Sequence, residues 1–393
     1  MNLSLYFNPV IPEELDFFTS NEQNNLIGNH LLIHTDEQHF PSLDTVKLAI
    51  LGVPEEKNAY NNMGCSEAPD KVRKQFYQLF KHQEIPPIAD LGNLKIGKTA
   101  NDTYIALQTI LSYLIENSII PIIIGGSQDI TFANYTAYEQ LKQVINIVAI
   151  DSRFDIGNEE LPFKSNSYLH KIILRQPNFL FNYSNIGYQT YYVDNDEIAL
   201  MDKLYFDACR LGEAQEDLIN CEPLIRNADI LTLDMSAIRF SDSPGCKHAS
   251  PNGFNGKEIC QLSRYAGVNH KLSSFGIYEY NPSFDIADQS AKLIAQIIWY
   301  FIDGFIIRQK DAPDIIKNNF FKYFVSLHDN AYEIIFYKSK ISGLWWMEVP
   351  CENKNPAYSR HYIVPCSLKD YETACRNEIP ERWFQTLKKI KPI

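Results

Sequence analysis

The sequence predicts an α/β fold, a mainly parallel sheet with helices on both faces, followed by a smaller β-rich unit. Between Val46 and about Arg308, short β-branched runs alternate with longer amphipathic stretches. The runs are apolar at nearly every position, as strands buried on both faces must be. After about Ala312 the pattern becomes one of strict alternation, which suits an antiparallel hairpin.

The first 45 residues are aromatic and polar without a clear period, and are expected to wrap the main domain rather than form one. The strands expected next are KLAILGV, IIPIIIG, VINIVAID, ADILTLD and SSFGIYEY. Several end at a Gly or Asp, and ligands gather at the carboxyl ends of strands in open α/β sheets. APDKVRKQFYQLF, NDTYIALQTILSYLIE and DQSAKLIAQIIWYFIDGF space their apolar residues at helical intervals, each with an Asp or Asn near its start. These are the crossover helices of a sheet of about eight strands.

Beyond that domain, YEIIFYKSKISGLWWMEVP reads as a hairpin turning at Ser342 and Gly343. HYIVPCSL adds a strand and ERWFQTLKKI a terminal helix. A lone hairpin is marginal in water, so ISGLWWMEV must rest its aromatics on the main domain, on a neighbouring subunit or on a protein partner. The organisation expected is therefore a wrapping segment (1–45), an α/β domain (46–311) and an appendage (312–393) that is a candidate docking element.

With 393 residues, 45% hydrophobic and 21% charged, the chain can bury a full α/β core and a second small unit. A net charge of -12 argues against general affinity for nucleic acid or an anionic membrane, since both require a basic surface. No apolar stretch reaches the roughly 18 residues of a membrane helix, and no cationic segment precedes an apolar run at the start. A soluble cytoplasmic protein is the expectation. The eight cysteines, Cys65, Cys209, Cys221, Cys246, Cys260, Cys351, Cys366 and Cys375, form no closely spaced pair, and read as mostly buried free thiols.

Asp151, Asp155 and Asp234 carry the strongest chemical signal. Each follows a strand that should be buried, where a carboxylate is costly unless it meets a cation or several donors. Any one of them could simply cap a helix or pair with an Arg. Three converging carboxylates would repel one another strongly, and taken together with the motifs around them they point to a cation.

The surrounding motifs resemble those of the ureohydrolase superfamily (arginase, agmatinase and formimidoylglutamase), and are closest in character to formimidoylglutamase-like proteins. ILGVPEEKNAYNNMGCSEAPDKVRKQF is similar to the family's opening segment, GGSQDIT from Gly125 to its first metal motif, and Asp151 to Asp155 to its Asp-Ala-His-x-Asp. Thr232 to Ser236 resembles Ser-x-Asp-x-Asp, and GIYEYNPSFDIADQSAKLIAQIIWYF resembles the Glu-x-Asn-Pro segment with its final helix.

The resemblance implies a three-layer arginase-like fold over roughly residues 46 to 308, a homo-oligomer, and two metal ions sharing Asp151 and Asp234. It also implies that Glu279 binds the guanidinium-like end of a substrate and that His170 shuttles protons. Three ligands depart from the pattern: Gln128 and Arg153 stand where the family has histidines, and Ser236 where it has an aspartate. Asp151, Asp155, Asp234 and the Gln128 amide oxygen remain as an oxygen set suited to a single hard cation such as Mg²⁺, Ca²⁺ or Mn²⁺, or to none. A guanidinium cannot ligate a cation, so Arg153 is expected to pair with the carboxylates in the lost ion's place.

Two readings follow. One is a catalytically impaired homologue with a degenerate centre, acting in binding or scaffolding. The other is an active formimidoylglutamase-like hydrolase that cleaves a C–N bond of a guanidino or formimino substrate with one metal ion or none.

Overall fold

A computed structural model describes residues 1–11, 25–157, 162–313, 315–316, 318–328, 332–350 and 356–390. Ten strands form its main sheet: β1 (Phe7–Asn8), β2 (Leu31–Ile33), β3 (Leu48–Val53), β4 (Ile88–Leu94), β5 (Ile120–Gly125), β6 (Ile145–Ile150), β7 (Leu180–Tyr188), β8 (Asp207–Arg210), β9 (Ile230–Asp234) and β10 (Ser274–Tyr278). The ladder runs β4-β3-β5-β10-β9-β6-β7-β8, parallel throughout. At its β4 edge, β2 pairs in parallel and β1 antiparallel, so the amino-terminal segment adds two short strands to the domain.

Alternation along each strand splits the core in two. Leu48 and Ile50 face one side, together with α1 (Ala68–Phe76), α8 (Gly256–Val268) and α9 (Gln289–Ile306). Ala49 and Leu51 face the other, against α2 (Ala100–Glu116), α3 (Ile130–Gln140) and α4 (Tyr168–Ile173). This gives the expected three layers. α2 begins with a capping box of Thr99 and Asp102, and α8 with one of Asn255 and Glu258, each satisfying backbone N–H groups left open by the first turn. Shorter helices α5 (Asn195–Lys203), α6 (Leu211–Glu216) and α7 (Glu222–Arg226) follow β7 and β8.

The five strands expected from sequence are β3, β5, β6, β9 and β10. β4, β7 and β8 were not anticipated. β7 carries Asn182, Ser184 and Asn185, which break the apolar run, and all three are buried with hydrogen bonds.

The carboxy-terminal unit holds a four-stranded antiparallel sheet of β11 (Phe320–Leu327), β12 (Tyr332–Ser339), β13 (Trp345–Glu348) and β14 (Ile363–Cys366), with α10 (Leu368–Cys375) and α11 (Glu381–Ile390). The hairpin turns where expected, with Gly343 at φ 73°. β11 and α10 are additional to the sequence reading. The unit's aromatics rest on the main domain: Arg226 of α7 donates to the carbonyls of Trp345 (3.0 Å) and Cys366 (3.1 Å), and its guanidinium lies 4.4 Å from the Trp346 ring centre. Arg360 pairs with buried Asp229 at 2.6 Å, and His361 stacks on Phe181 at 4.0 Å. Asp229 and Phe181 lie at the amino ends of β9 and β7, so this contact is on the opposite end of the sheet from the strands' carboxyl termini.

No helix among the described residues is long and apolar enough to cross a membrane. Seven cysteines are free thiols, five of them buried, while Cys351 lies outside the described residues.

Candidate metal centre and ligand pocket

The three aspartates converge. Asp151 follows β6, Asp155 lies four residues further on, and Asp234 ends β9, the strand beside β6. One ligand oxygen from each lies within 4.8 Å of the others, and all three side chains are buried. The backbone supports this cluster: the amide of Arg153 donates to Asp151 Oδ1 (2.9 Å), and that of Ser236 to Asp234 Oδ1 (2.7 Å). Asp155 and Glu279 hold left-handed backbone conformations, at φ 54° and 64°. Such strain in residues other than glycine collects at functional sites.

Burial holds the carboxyls of all three aspartates above their ordinary range. Asp234's charge adds to the effect at Asp151, and Asp151's charge adds to it at Asp155, while the Ser236 amide opposes it at Asp234. Such a cluster must either keep protons or receive a cation.

Two unpartnered atoms favour a cation. Asp151 Oδ2 and Gln128 Oε1 are buried and have no hydrogen bond among the described residues. Gln128 is held by its other end, with Nε2 donating to Thr232 Oγ1 at 2.9 Å. The three aspartates form a group of oxygens that could hold one hard cation.

The positions resembling the second ion's own ligands do not fit. Ser236 Oγ lies 3.0 Å from Ser152 Oγ and 3.5 Å from Asp151 Oδ1. The Arg153 guanidinium lies 4.4 Å from the Tyr192 ring centre. Among the described residues it makes no ion pair with the three aspartates, so the expected internal salt bridge is not the arrangement found. The i, i+2 geometry gives Asp151 the arginine's amide, and the long side chain reaches past the cluster to the aromatic face. Its charge still acts at a distance, lowering all three carboxyls.

Glu279 sits just after β10. Its Oε1 accepts from the Gln128 amide (2.8 Å) and its Oε2 from Asn62 Nδ2 (2.7 Å). Burial, reinforced by Asp234, pushes it up to about 8 against those two donors. Gly126, in the same motif as Gln128, packs against the loop after β3, where a Cβ would lie 2.0 Å from the Glu55 carbonyl oxygen.

A cavity of about 280 Å³ opens onto this cluster, lined by Asp151, Asp155, Asp234 and Glu279 at its polar base, and by Tyr60, Arg153, Ser165, Asn166, Tyr192, Glu197 and His248 around them. His170 is not among its lining residues. It lies on α4 with Nε2 buried and unbonded among the described residues. The histidine that does line the cavity, His248, comes from the loop after β9; it is joined there by Tyr60 after β3, Tyr192 after β7 and Glu197 on α5, none of which the sequence reading singles out.

A three-layer α/β fold with a mainly parallel sheet, whose adjacent strand ends bring carboxylates together, defines the class: an α/β protein with a candidate metal site at the carboxyl edge of its sheet. The sequence matches the model of the Arginase family over residues 46–303, and the chain belongs to that family. It is 26% identical over 299 residues to the formimidoylglutamase of Staphylococcus haemolyticus, covering 68% of this chain and 94% of that one. To the formimidoylglutamase of Halalkalibacterium halodurans it is 22% identical over 287 residues, covering 66% and 87%.

Among solved structures, Bacillus subtilis formimidoylglutamase superposes with a TM-score of 0.65 at 16% identity, covering 76% of this chain and 98% of that one. Trypanosoma cruzi formiminoglutamase with Mn²⁺ superposes at 0.64 and 15% identity, covering 72% and 99%. The fold is thus that of the formimidoylglutamase-like ureohydrolases.

Proposed function

We propose that this chain is a ureohydrolase homologue whose binuclear centre has degenerated to a single-cation site, and that it acts by binding a guanidino or formimino compound rather than by hydrolysing it efficiently. The observation that carries this reading is the state of Arg153 and Ser236, one on Tyr192 and the other on Ser152, neither offering a ligand set for a second ion. Two ions about 3.5 Å apart share the work of acidifying a nucleophilic water, and one ion does less of it. A homo-oligomeric, cytoplasmic protein accompanies the proposal, by analogy with the superfamily.

Asp151, Asp155, Asp234 and Gln128 would hold the cation, and Glu279 would face the ligand's amidinium group. A cation bound there would lower the pKa of water and so supply a nucleophile. The intact aspartate triad therefore also favours a second reading, slow hydrolysis. In that reaction water adds to the amidine carbon, the C–N bond breaks, and a proton goes to the departing amine.

Incubating the full chain with Mn²⁺ and N-formimidoyl-L-glutamate, L-arginine or agmatine tests the choice. The proposal expects no formamide or urea above the protein-free rate. Turnover comparable with a formimidoylglutamase assayed alongside would replace it with the hydrolase reading.

A further inference from the structure

We propose that His248, held by Tyr60, is a specificity-determining residue of the acidic pocket, where its Nδ1 accepts a hydrogen bond from an N–H group of a cationic amidine or guanidine. This rests on the ligand class proposed above.

The assignment begins with an acceptor that has no proton to give. His248 Nε2 lies 2.9 Å from the carbonyl oxygen of Tyr60. A carbonyl only accepts, so Nε2 carries the hydrogen, and in the neutral ring Nδ1 keeps a lone pair. Ring orientation is fixed as well, because the imidazole stacks on the Tyr60 ring at 5.8 Å with 14° between planes.

Tyr60 is itself anchored. Its amide donates to Ser165 Oγ at 3.0 Å, and the Ser165 amide donates to the Asn58 carbonyl at 2.9 Å. Three loops, those following β3, β6 and β9, are thus joined at one point of the cavity wall, and a side chain locked in this way presents its free nitrogen without further ordering cost.

Among the described residues, the charged groups lining the same cavity are Asp151, Asp155 and Arg153 after β6, Glu197 on α5, Asp234 on β9 and Glu279 after β10. Carboxylates dominate, so the pocket suits a cation, and a neutral imidazole adds the acceptor that a cation's N–H requires.

Calorimetric titration of the full chain with N-formimidoyl-L-glutamate at about pH 8 tests this. His248→Ala should weaken binding at least about tenfold. His248→Gln keeps an N–H for the Tyr60 carbonyl and an amide oxygen that can accept from the ligand, so it should recover most of that loss, with an unchanged unfolding midpoint. If His248→Ala binds as the parent does, or His248→Gln binds no better than His248→Ala, the inference is overturned while the ligand reading stands. No binding by the parent chain would overturn both.

Discussion

The guanidinium carbon of Arg153 lies 4.4 Å from the ring centre of Tyr192, while the same residue's amide donates to Asp151. One residue thus serves the carboxylate cluster through its main chain and the cavity wall through its side chain. Removing the side chain leaves the amide in place. Arg153→Ala should therefore cost only about 1 kcal/mol of stability, the scale of a partly exposed cation–π contact. A loss of about 3–5 kcal/mol in urea unfolding, the cost of breaking a buried ion pair, would show that the guanidinium neutralises the aspartates directly.

The carboxy-terminal unit should prove part of the fold. Truncation after residue 311 uncovers Phe181, Asp229 and the Arg226 guanidinium, all now covered by that unit. The shortened chain is expected to lose solubility or to unfold at a markedly lower temperature. Arg226→Ala, which loses two hydrogen bonds to carbonyls and the Trp346 contact, should cost about 2–4 kcal/mol. A truncated core with the parent's unfolding midpoint would instead mark residues 312–393 as an independent docking element.

Much of this was legible in the sequence where burial is two-sided. β3, β5, β6, β9 and β10 are central, so their apolar runs are nearly unbroken. β8 lies at the sheet edge and is short and partly exposed, so it carries no such run. The aspartate cluster was legible because Asp151 directly follows β6 and Asp234 ends β9. His248, Tyr60 and Tyr192 were not, because they reach the cavity from irregular loops whose course depends on tertiary contacts rather than on a local period. His170 is not among the cavity's lining residues, although its helix adjoins the site, where the Leu169 amide donates to the Asp155 carbonyl at 3.2 Å.

Lys389 gives the fold a pH dependence of known sign. Burial lowers its ammonium to about 8, against a partial opposing effect of Asp207. Between about pH 8 and the ordinary lysine value near 10.4, the unfolded chain holds a proton that the folded chain lacks, so this group makes stability rise with pH across that interval. Lys389→Met should flatten the rise and stabilise the protein at neutral pH. A pH–stability curve identical to the parent's would contradict this.

Restoring the superfamily's ligands should restore its chemistry of binding. Arg153→His and Ser236→Asp place donors where the second ion's ligands are missing, and Gln128→His returns an imidazole to the first position, with Asp151 and Asp234 already in place. Titration with Mn²⁺ should then show an additional binding event relative to the parent. An unchanged isotherm would mean that the Ser152–Ser236 contact and the Tyr192 wall have closed the second position.

The most direct test of the degenerate centre is the metal content of the parent chain, purified without chelator and then equilibrated with Mn²⁺, measured by elemental analysis against protein concentration. The account predicts no more than one equivalent of divalent cation per chain. Two equivalents would contradict it and return the protein to the binuclear hydrolases.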